Sequence, residues 1–292
     1  MNLIENLEKR KLISPPKWLH HAVQYLIIGG STAYGYNKDN SDLDVIGWCI
    51  PPKEDIFPHL KGEILGFGRQ HQRFEQYLHH GVEDKDKNRN YDINCFNVIK
   101  FFNLVFENNP NMLETLFVEQ DCVLVCTEVA QLVRENRKSF LHKGAWPKHK
   151  GYAFSQMHKM SSQERTGKRK ENYELYGMDT KFAAHTVRLL LQVEQILSEG
   201  DMDLRRNSKH LKAIRNGEVS EKEIKDWFTL KEIELEKLYH ESKLPWGPDE
   251  SKIKDLLLKC LEIHYGSLDK CIERVDKYEI AISKIKEICD TL

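Results

Sequence analysis

No apolar run in this chain approaches the roughly 20 residues that a helix needs to cross a bilayer. The first residues, Met1 to Lys9, pattern as an amphipathic helix and lack the apolar centre of a signal peptide. We therefore expect a cytoplasmic protein with no membrane partner. Cysteine shows no organisation: the seven sit at 49, 95, 122, 126, 260, 271 and 289, with none in a CxxC pair. That pattern argues against a disulfide framework or a zinc ribbon and fits reduced thiols. The doublets His20-His21 and His79-His80 have no Cys or His partner at metal spacing. An excess of one charge is missing as well. With 44 basic against 45 acidic residues, a globally cationic nucleic-acid coat is ruled out, and any polyanion contact must come from a local patch. A Walker A loop is absent, because no Gly-Lys-Ser/Thr occurs. Asp84-Lys-Asp86-Lys-Asn88 fails as a calcium loop, since Arg89 stands where glycine is needed and Cys95 where glutamate is needed.

What is present is a chain of 292 residues, 40% hydrophobic and 30% charged, long enough for one large core or two ordinary ones. Its first half alternates strand and helix signals. Residues 24–28 predict a buried strand running into Gly29-Gly30, and 43–50 a second strand stopped by Pro51-Pro52. Residues 74–78 and 91–96 predict two more, parted by the polar stretch 81–90. From Asn97 the period becomes helical, with Val98, Phe101, Phe102 and Val105 on one face. Asn108-Asn109-Pro110 ends that helix, and Met112, Leu113, Leu116 and Phe117 begin another. Residues 123–125 read as a short last strand, with Thr127 capping the next helix. Beyond about residue 140 the strand signals vanish. Helical patterns span roughly 152–165, 179–199, 220–243, 249–264 and 267–290. The expected organisation is an α/β domain over 1–140 followed by an all-α helical domain over 141–292.

The segment that carries chemistry runs from Gly29-Gly30-Ser31 to Ser41-Asp42-Leu43-Asp44. A strand delivers the chain into Gly-Gly-Ser, where missing Cβ atoms let backbone N–H groups approach a phosphate and the Ser31 hydroxyl adds a donor. Asp42 and Asp44 stand at i and i+2 at the start of the next strand, so their carboxylates share a face. Such a pair can bridge two divalent cations about 3.5–4 Å apart, as in-line phosphoryl displacement requires. Hard oxygen ligands favour Mg²⁺, with Mn²⁺ as a substitute. Gly-Gly-Ser alone reads as a turn, and Asp-x-Asp alone as a surface pair. In this order and spacing they favour an enzyme site.

Together these residues resemble the fingerprint of the DNA polymerase β-type nucleotidyltransferase superfamily. The resemblance implies a mixed-sheet nucleotidyltransferase domain. It also implies a two-metal transfer of a nucleoside monophosphate from a nucleoside triphosphate to a hydroxyl, with release of pyrophosphate. Such folds supply a third carboxylate from a neighbouring strand, and Asp92 is the candidate, sharing a face with Asn94 and Phe96. Asp42, Asp44 and Asp92 are thus the expected catalytic and metal-binding residues, and Gly29, Gly30 and Ser31 the nucleotide-binding ones. A narrower similarity is to predicted bacterial and phage nucleotidyltransferases that include RNA-ligase-associated, RNA repair pathway polymerase-β-like proteins. It rests on Gly30 to Gly35 with Ser41 to Asp44, on Asp92 leading into Phe101 and Asn109 to Phe117, and on Gly177 to Leu190. Glu199-Gly200, Ile214 to Gly217 and Leu244 to Asp249 extend it, so that it covers roughly 25–264. In this group arginine often follows or replaces the small residues near Ser31, so acceptor preference is not carried across. The RNA-ligase association of some relatives makes an RNA 3′ end, tRNA-like, the first expectation for the acceptor. A protein or small-molecule acceptor is an alternative, and so is a catalytically silent nucleotide-binding or antitoxin-type module. The complete set of Ser31 and three carboxylates speaks against silence. Neither the nucleotide, ATP or another, nor the oligomeric state follows from the sequence.

Lys181, His185 and Arg188 fall at i, i+4 and i+7 on one helix face, apart from the apolar set Phe182, Leu189, Leu190 and Val193. A solvated polar stripe is the usual meaning of such a pattern. Three potential cations with no acid at i±4 instead favour a clamp for a triphosphate or an acceptor phosphate. Residues 137–170 hold ten Lys or Arg and one acid, Glu164, interleaved with Trp146, Tyr152 and Phe154. The segment fits an RNA track or an interdomain surface. Glu114 has structural duty or orients a metal ligand, and Tyr34 and Tyr36 stack on a base or simply pack.

Overall fold

The computed structural model describes residues 1–37, 42–161 and 167–268, together with positions 282, 285, 286, 288 and 289. Ser41, Glu164 and most of the helix expected over 267–290 lie outside the described residues. Five strands form one sheet: β1 (Val23–Ile28), β2 (Leu43–Cys49), β3 (Gln76–Asp84), β4 (Arg89–Asn97) and β5 (Val123–Cys126). Their order is β3-β4-β2-β1-β5. β2 and β4 run parallel and the other neighbours antiparallel, so the sheet is mixed, as expected.

Each expected strand forms, but β3 runs further into the polar stretch than its composition suggests. Val82, Glu83 and Asp84 pair with Tyr91, Asn90 and Arg89, which leaves only 85–88 as the connecting turn. β3 is an edge strand, where polar side chains can reach water on the unpaired side, so hairpin pairing overrides composition.

The helices are α1 (Leu3–Lys9), α2 (Leu19–Ala22), α3 (Gly30–Ala33), α4 (Lys53–Ile56), α5 (Val98–Phe106), α6 (Pro110–Leu113) and α7 (Glu128–Glu135). They continue with α8 (Ala145–Met160), α9 (Lys168–Tyr176), α10 (Thr180–Glu199), α11 (Ser208–Arg215), α12 (Glu221–Glu241) and α13 (Glu250–Tyr265). Asn97 caps α5 and Thr127 caps α7 through their side chains. Asp179 caps α10 in the same way, and Gly200, at a φ of 61°, ends it in the left-handed conformation. α8 begins seven residues before the expected 152. Pro147 falls in its first turn, where a missing N–H leaves no intrahelical bond unmade. Among the described residues, no helix is long and apolar enough to cross a membrane.

The two faces of the sheet are covered differently. Tyr25, Ile27, Trp48 and Phe96 join the helices beyond residue 140 in one hydrophobic core that includes Ala183, Leu189 and Val193 of α10. Leu26, Val45, Ile93 and Cys95 point to the other face and are roofed by Ile4 and Leu7 of α1. The N-terminal helix is therefore part of the fold's foundation and lies on the side of the sheet away from the α10 core.

Leu7 is fully buried. Leu7→Ala is expected to lower stability by about 2–5 kcal/mol, the usual cost of emptying a core leucine site. Urea unfolding measures this, and a loss below about 1 kcal/mol would show that α1 is not structural.

Candidate active site

The site begins where β1 ends. The Gly29 N–H donates to the Asp44 carbonyl at 2.7 Å, which pins the turn to β2. Gly30 follows with a φ of 59°. A Cβ at position 30 would lie 2.0 Å from Asp44 Oδ2, so only glycine lets that carboxylate rest against the turn. Ser31 continues into the single-turn helix α3.

Asp42 immediately precedes β2 and Asp44 lies on it. Asp44 and Asp92 are direct register partners on the parallel pair β2 and β4. Adjacent strands lie about 4.8 Å apart, so the two carboxylates start side by side. Burial raises the Asp44 carboxyl above the ordinary carboxylate range; Lys181 opposes that shift, and Asp92 and Asp42 add to it. Asp92 is oriented from the edge strand. Its Oδ1 accepts the Gly81 N–H at 2.8 Å, with His80 Nδ1 at 3.5 Å. Gly81, at a φ of 66°, sits where the β3 register shifts between His79 and Val82. This bulge turns a backbone donor toward the third carboxylate.

These groups open onto a cleft of about 510 Å³. One wall carries Gly30, Ser31, Asp42, Asp44 and Asp92, and the facing groups include Lys181, His185 and Arg188 of α10 and Arg215 of α11. Tyr34, Tyr36 and Glu114 also contribute to the lining, and Ile46, Asn94, Asn111, Met112 and Tyr152 complete it. The structure thus brings together the sequence-predicted residues, except that Gly29 serves as the backbone pin behind the lining.

One expectation changes. Arg188 is not an unmatched cation: it is 2% exposed and paired with Glu114, and it donates to Gln192 Oε1 at 2.9 Å. Its guanidinium lies 4.5 Å from the Tyr34 ring centroid. The acid that satisfies it comes from another element, which a search of i±4 positions on one helix cannot find. Lys181 is exposed, and among the described residues no ion-pair partner is recorded for it. Tyr34 and Tyr36 are buried and stacked with centroids 5.6 Å apart, which supports packing over base stacking.

Arg215 is the residue that sequence reasoning missed. It ends α11, and its Nη1 donates to Thr180 Oγ1 at 3.4 Å. The only signal was its place in Ile214-Arg-Asn-Gly217. Gly217 is required there, because a Cβ would lie 2.0 Å from the Tyr176 ring. The basic segment also reads differently in three dimensions. Lys138 pairs with Asp201, Lys148 with Glu107, and Lys150 with Glu232 and Glu236. Lys143 is buried, with Nζ 4.2 Å from the Trp246 ring centroid. These four cations are engaged within the protein.

Among the described residues, no three His, Cys, Asp or Glu side chains form a ready-made metal cage. The donor set still fits a hard divalent cation. Mg²⁺ is commonly held by one or two carboxylates and completed by substrate phosphates and water. The raised Asp44 carboxyl reflects first its burial and then the neighbouring acids, both of which a bound cation would offset.

That shift makes a stability prediction. Because its folded-state carboxyl is raised, ionised Asp44 costs stability above the carboxylate range, and the cost disappears once pH falls below the unfolded-state value. In chelator at pH 7.5, Asp44→Asn is therefore expected to raise Tm, with the gain shrinking towards pH 3.5. A lower Tm at pH 7.5 would contradict the picture of a buried carboxylate held ionised at a cost.

No curated protein matches this chain. A solved nucleotidyltransferase-like protein from Exiguobacterium sibiricum 255-15 aligns at 11% identity over 90% of each chain, with a TM-score of 0.30, too loose a superposition to carry an argument. The sequence profile of the RNA repair pathway DNA polymerase beta family matches residues 4–245, a span that contains both walls of the cleft. The chain belongs to the RNA repair pathway DNA polymerase beta family.

Proposed function

We propose that this protein is a Mg²⁺-dependent nucleotidyltransferase that moves a nucleoside monophosphate from a nucleoside triphosphate to a hydroxyl. The observation that carries the reading is the contact at the turn: Gly30 lies against the Asp44 carboxylate, in register with Asp92, and the cationic groups of α10 and α11 line the same cleft. Phosphate-binding backbone and carboxylates are thereby packed as one unit.

In this reading Gly30 and the Ser31 hydroxyl bind the outer phosphates, and Lys181 and Arg215 neutralise their charge. Asp42, Asp44 and Asp92 hold the divalent ions, which when bound would offset phosphate charge and make the acceptor hydroxyl more acidic. Asp92, with Oδ1 engaged by Gly81, has Oδ2 left to accept the acceptor's proton. The acceptor oxygen bonds to the α-phosphorus, the bond to the β-phosphate oxygen breaks, and pyrophosphate leaves. Residues 1–140 supply the carboxylates and the turn, and 141–292 the cationic wall.

An RNA 3′ end is the proposed acceptor, supported by the RNA repair pathway named in the family's description. Incubation with labelled nucleoside triphosphates, Mg²⁺, and total RNA or total protein tests this directly. Label is expected in RNA and is expected to disappear with chelator. Label in protein alone would replace the acceptor, and nucleotide binding without transfer would leave a binding module. The Asp42→Asn/Asp44→Asn double variant should lose roughly 10²–10³-fold or more in transfer, the scale on which removal of transition-state charge stabilisation acts. Transfer that persists in it would remove the metal assignment.

Lys181→Glu puts a negative charge where phosphate is expected. Its nucleotide KM should rise at least about tenfold, one lost charge-assisted contact, with folding intact. Unchanged kinetics would exclude Lys181 from the phosphate wall.

A further inference from the structure

The turn and the cationic helix come from distant parts of the chain, and one buried carboxylate touches both. Tyr34 closes the turn, its N–H donating to the Gly30 carbonyl at 3.3 Å. Its hydroxyl donates to Glu114 Oε1 at 2.5 Å. Glu114 Oε2 receives the Arg188 guanidinium and the Gln192 amide, the latter at 3.1 Å. Arg188 and Gln192 both lie on α10, the helix that presents Lys181 and His185 to the cleft. Tyr34, Glu114, Arg188 and Gln192 are 2%, 6%, 2% and 3% exposed.

We infer that Glu114 is a positioning residue for nucleotide binding. It acts through Tyr34 on the Gly30-Ser31 turn and through Arg188 on α10, fixing the distance between the two surfaces that grip the triphosphate. This rests on the nucleotidyltransferase reading above. Glu114 also lines the cleft, and its charge is one of the smaller influences that raise the Asp44 carboxyl. Its hydrogen bonds, however, run to Tyr34, Arg188 and Gln192, so the geometry it fixes is that of the phosphate grip.

Two observations separate this from a plain core contact. Replacing a buried ion pair by packed apolar side chains is often neutral or stabilising, so such a pair is poorly explained by stability alone. The network also leaves Arg188 Nε buried without a hydrogen-bond partner. A hydrogen-bonded unit of this kind has discrete arrangements, whereas an apolar contact can slide. It therefore transmits a fixed geometry from α10 to the turn.

The test compares Tyr34→Phe and Glu114→Gln with the wild-type chain. Affinity for each of the four ribonucleoside triphosphates is measured with Mg²⁺ present, together with KM and kcat for transfer. Affinity for Mn²⁺ alone is measured separately by the paramagnetic signal of the ion. In both variants nucleotide affinity should fall roughly tenfold and KM rise in parallel. The kcat at saturation should stay within about threefold of wild type, and Mn²⁺ affinity should be unchanged in Tyr34→Phe, which leaves the Glu114 charge in place. Wild-type nucleotide affinity in variants that still unfold cooperatively would overturn the inference. A parallel loss of Mn²⁺ affinity in Tyr34→Phe would also overturn it, because the network would then be positioning the carboxylates. If Glu114→Gln does not fold, Tyr34→Phe, which removes a single oxygen, decides alone. A wild-type protein that binds no nucleoside triphosphate overturns the nucleotidyltransferase reading itself, a result distinct from normal binding by the variants.

Discussion

A carboxylate oxygen occupies the place where any side chain at position 30 would put its Cβ. That exclusion organises the candidate site. It requires glycine at the turn, and the left-handed φ of Gly30 lets the chain leave β1 and start α3 beside Asp44 without a clash. The Gly29 N–H holding the Asp44 carbonyl fixes the same two segments through their backbones. The parallel register of β2 and β4 then sets Asp92 beside Asp44. The Gly30 turn and the acidic pair are therefore packed as one unit at the end of the sheet.

The opposite wall is built by other means. No strand pairing links α10 to the sheet; a shared hydrophobic core and the buried Tyr34, Glu114 and Arg188 network do. Hydrophobic packing gives the helix its place but tolerates small shifts, whereas the network specifies one arrangement. Arg205 adds a second tie to the turn, its Nε donating to the Ala33 carbonyl at 3.4 Å. One half of the site thus comes from the sheet, and the other is fixed against it by polar side chains.

The sequence revealed those parts of the site whose partners are close along the chain. A strand entering Gly29-Gly30-Ser31 and two aspartates at i and i+2 obey local periodicities, and the sheet and most helices followed from the same periods. What it concealed depends on distant pairs. Glu114 and Arg188 are 74 positions apart, and nothing on α10 shows that Arg188 is already matched. Arg215 joins the cleft only because α11 packs against α10. Gly81 lay in a stretch that read as loop, and its donation to Asp92 arises from a bulge that composition does not encode. The basic segment left two readings open for the same reason: the acids that pair Lys138, Lys148 and Lys150 are Asp201, Glu107, Glu232 and Glu236, all outside the segment.

The pairing of Arg188 also changes the charge balance of the cleft. Glu114 and Arg188 cancel each other, so Asp42, Asp44 and Asp92 face Lys181 and Arg215, with His185 beside them. In the proposed reading a free triphosphate would therefore enter a cleft with no positive excess, and its charge would meet the carboxylates that add to the effect of burial on the Asp44 carboxyl. Divalent ions relieve both, because they neutralise the carboxylates and the phosphates together. Metal and nucleotide binding are then linked, each strengthening the other by the same factor. The polypeptide itself contributes geometry more than charge: a glycine turn, a register and a buried network that keep the two walls a fixed distance apart.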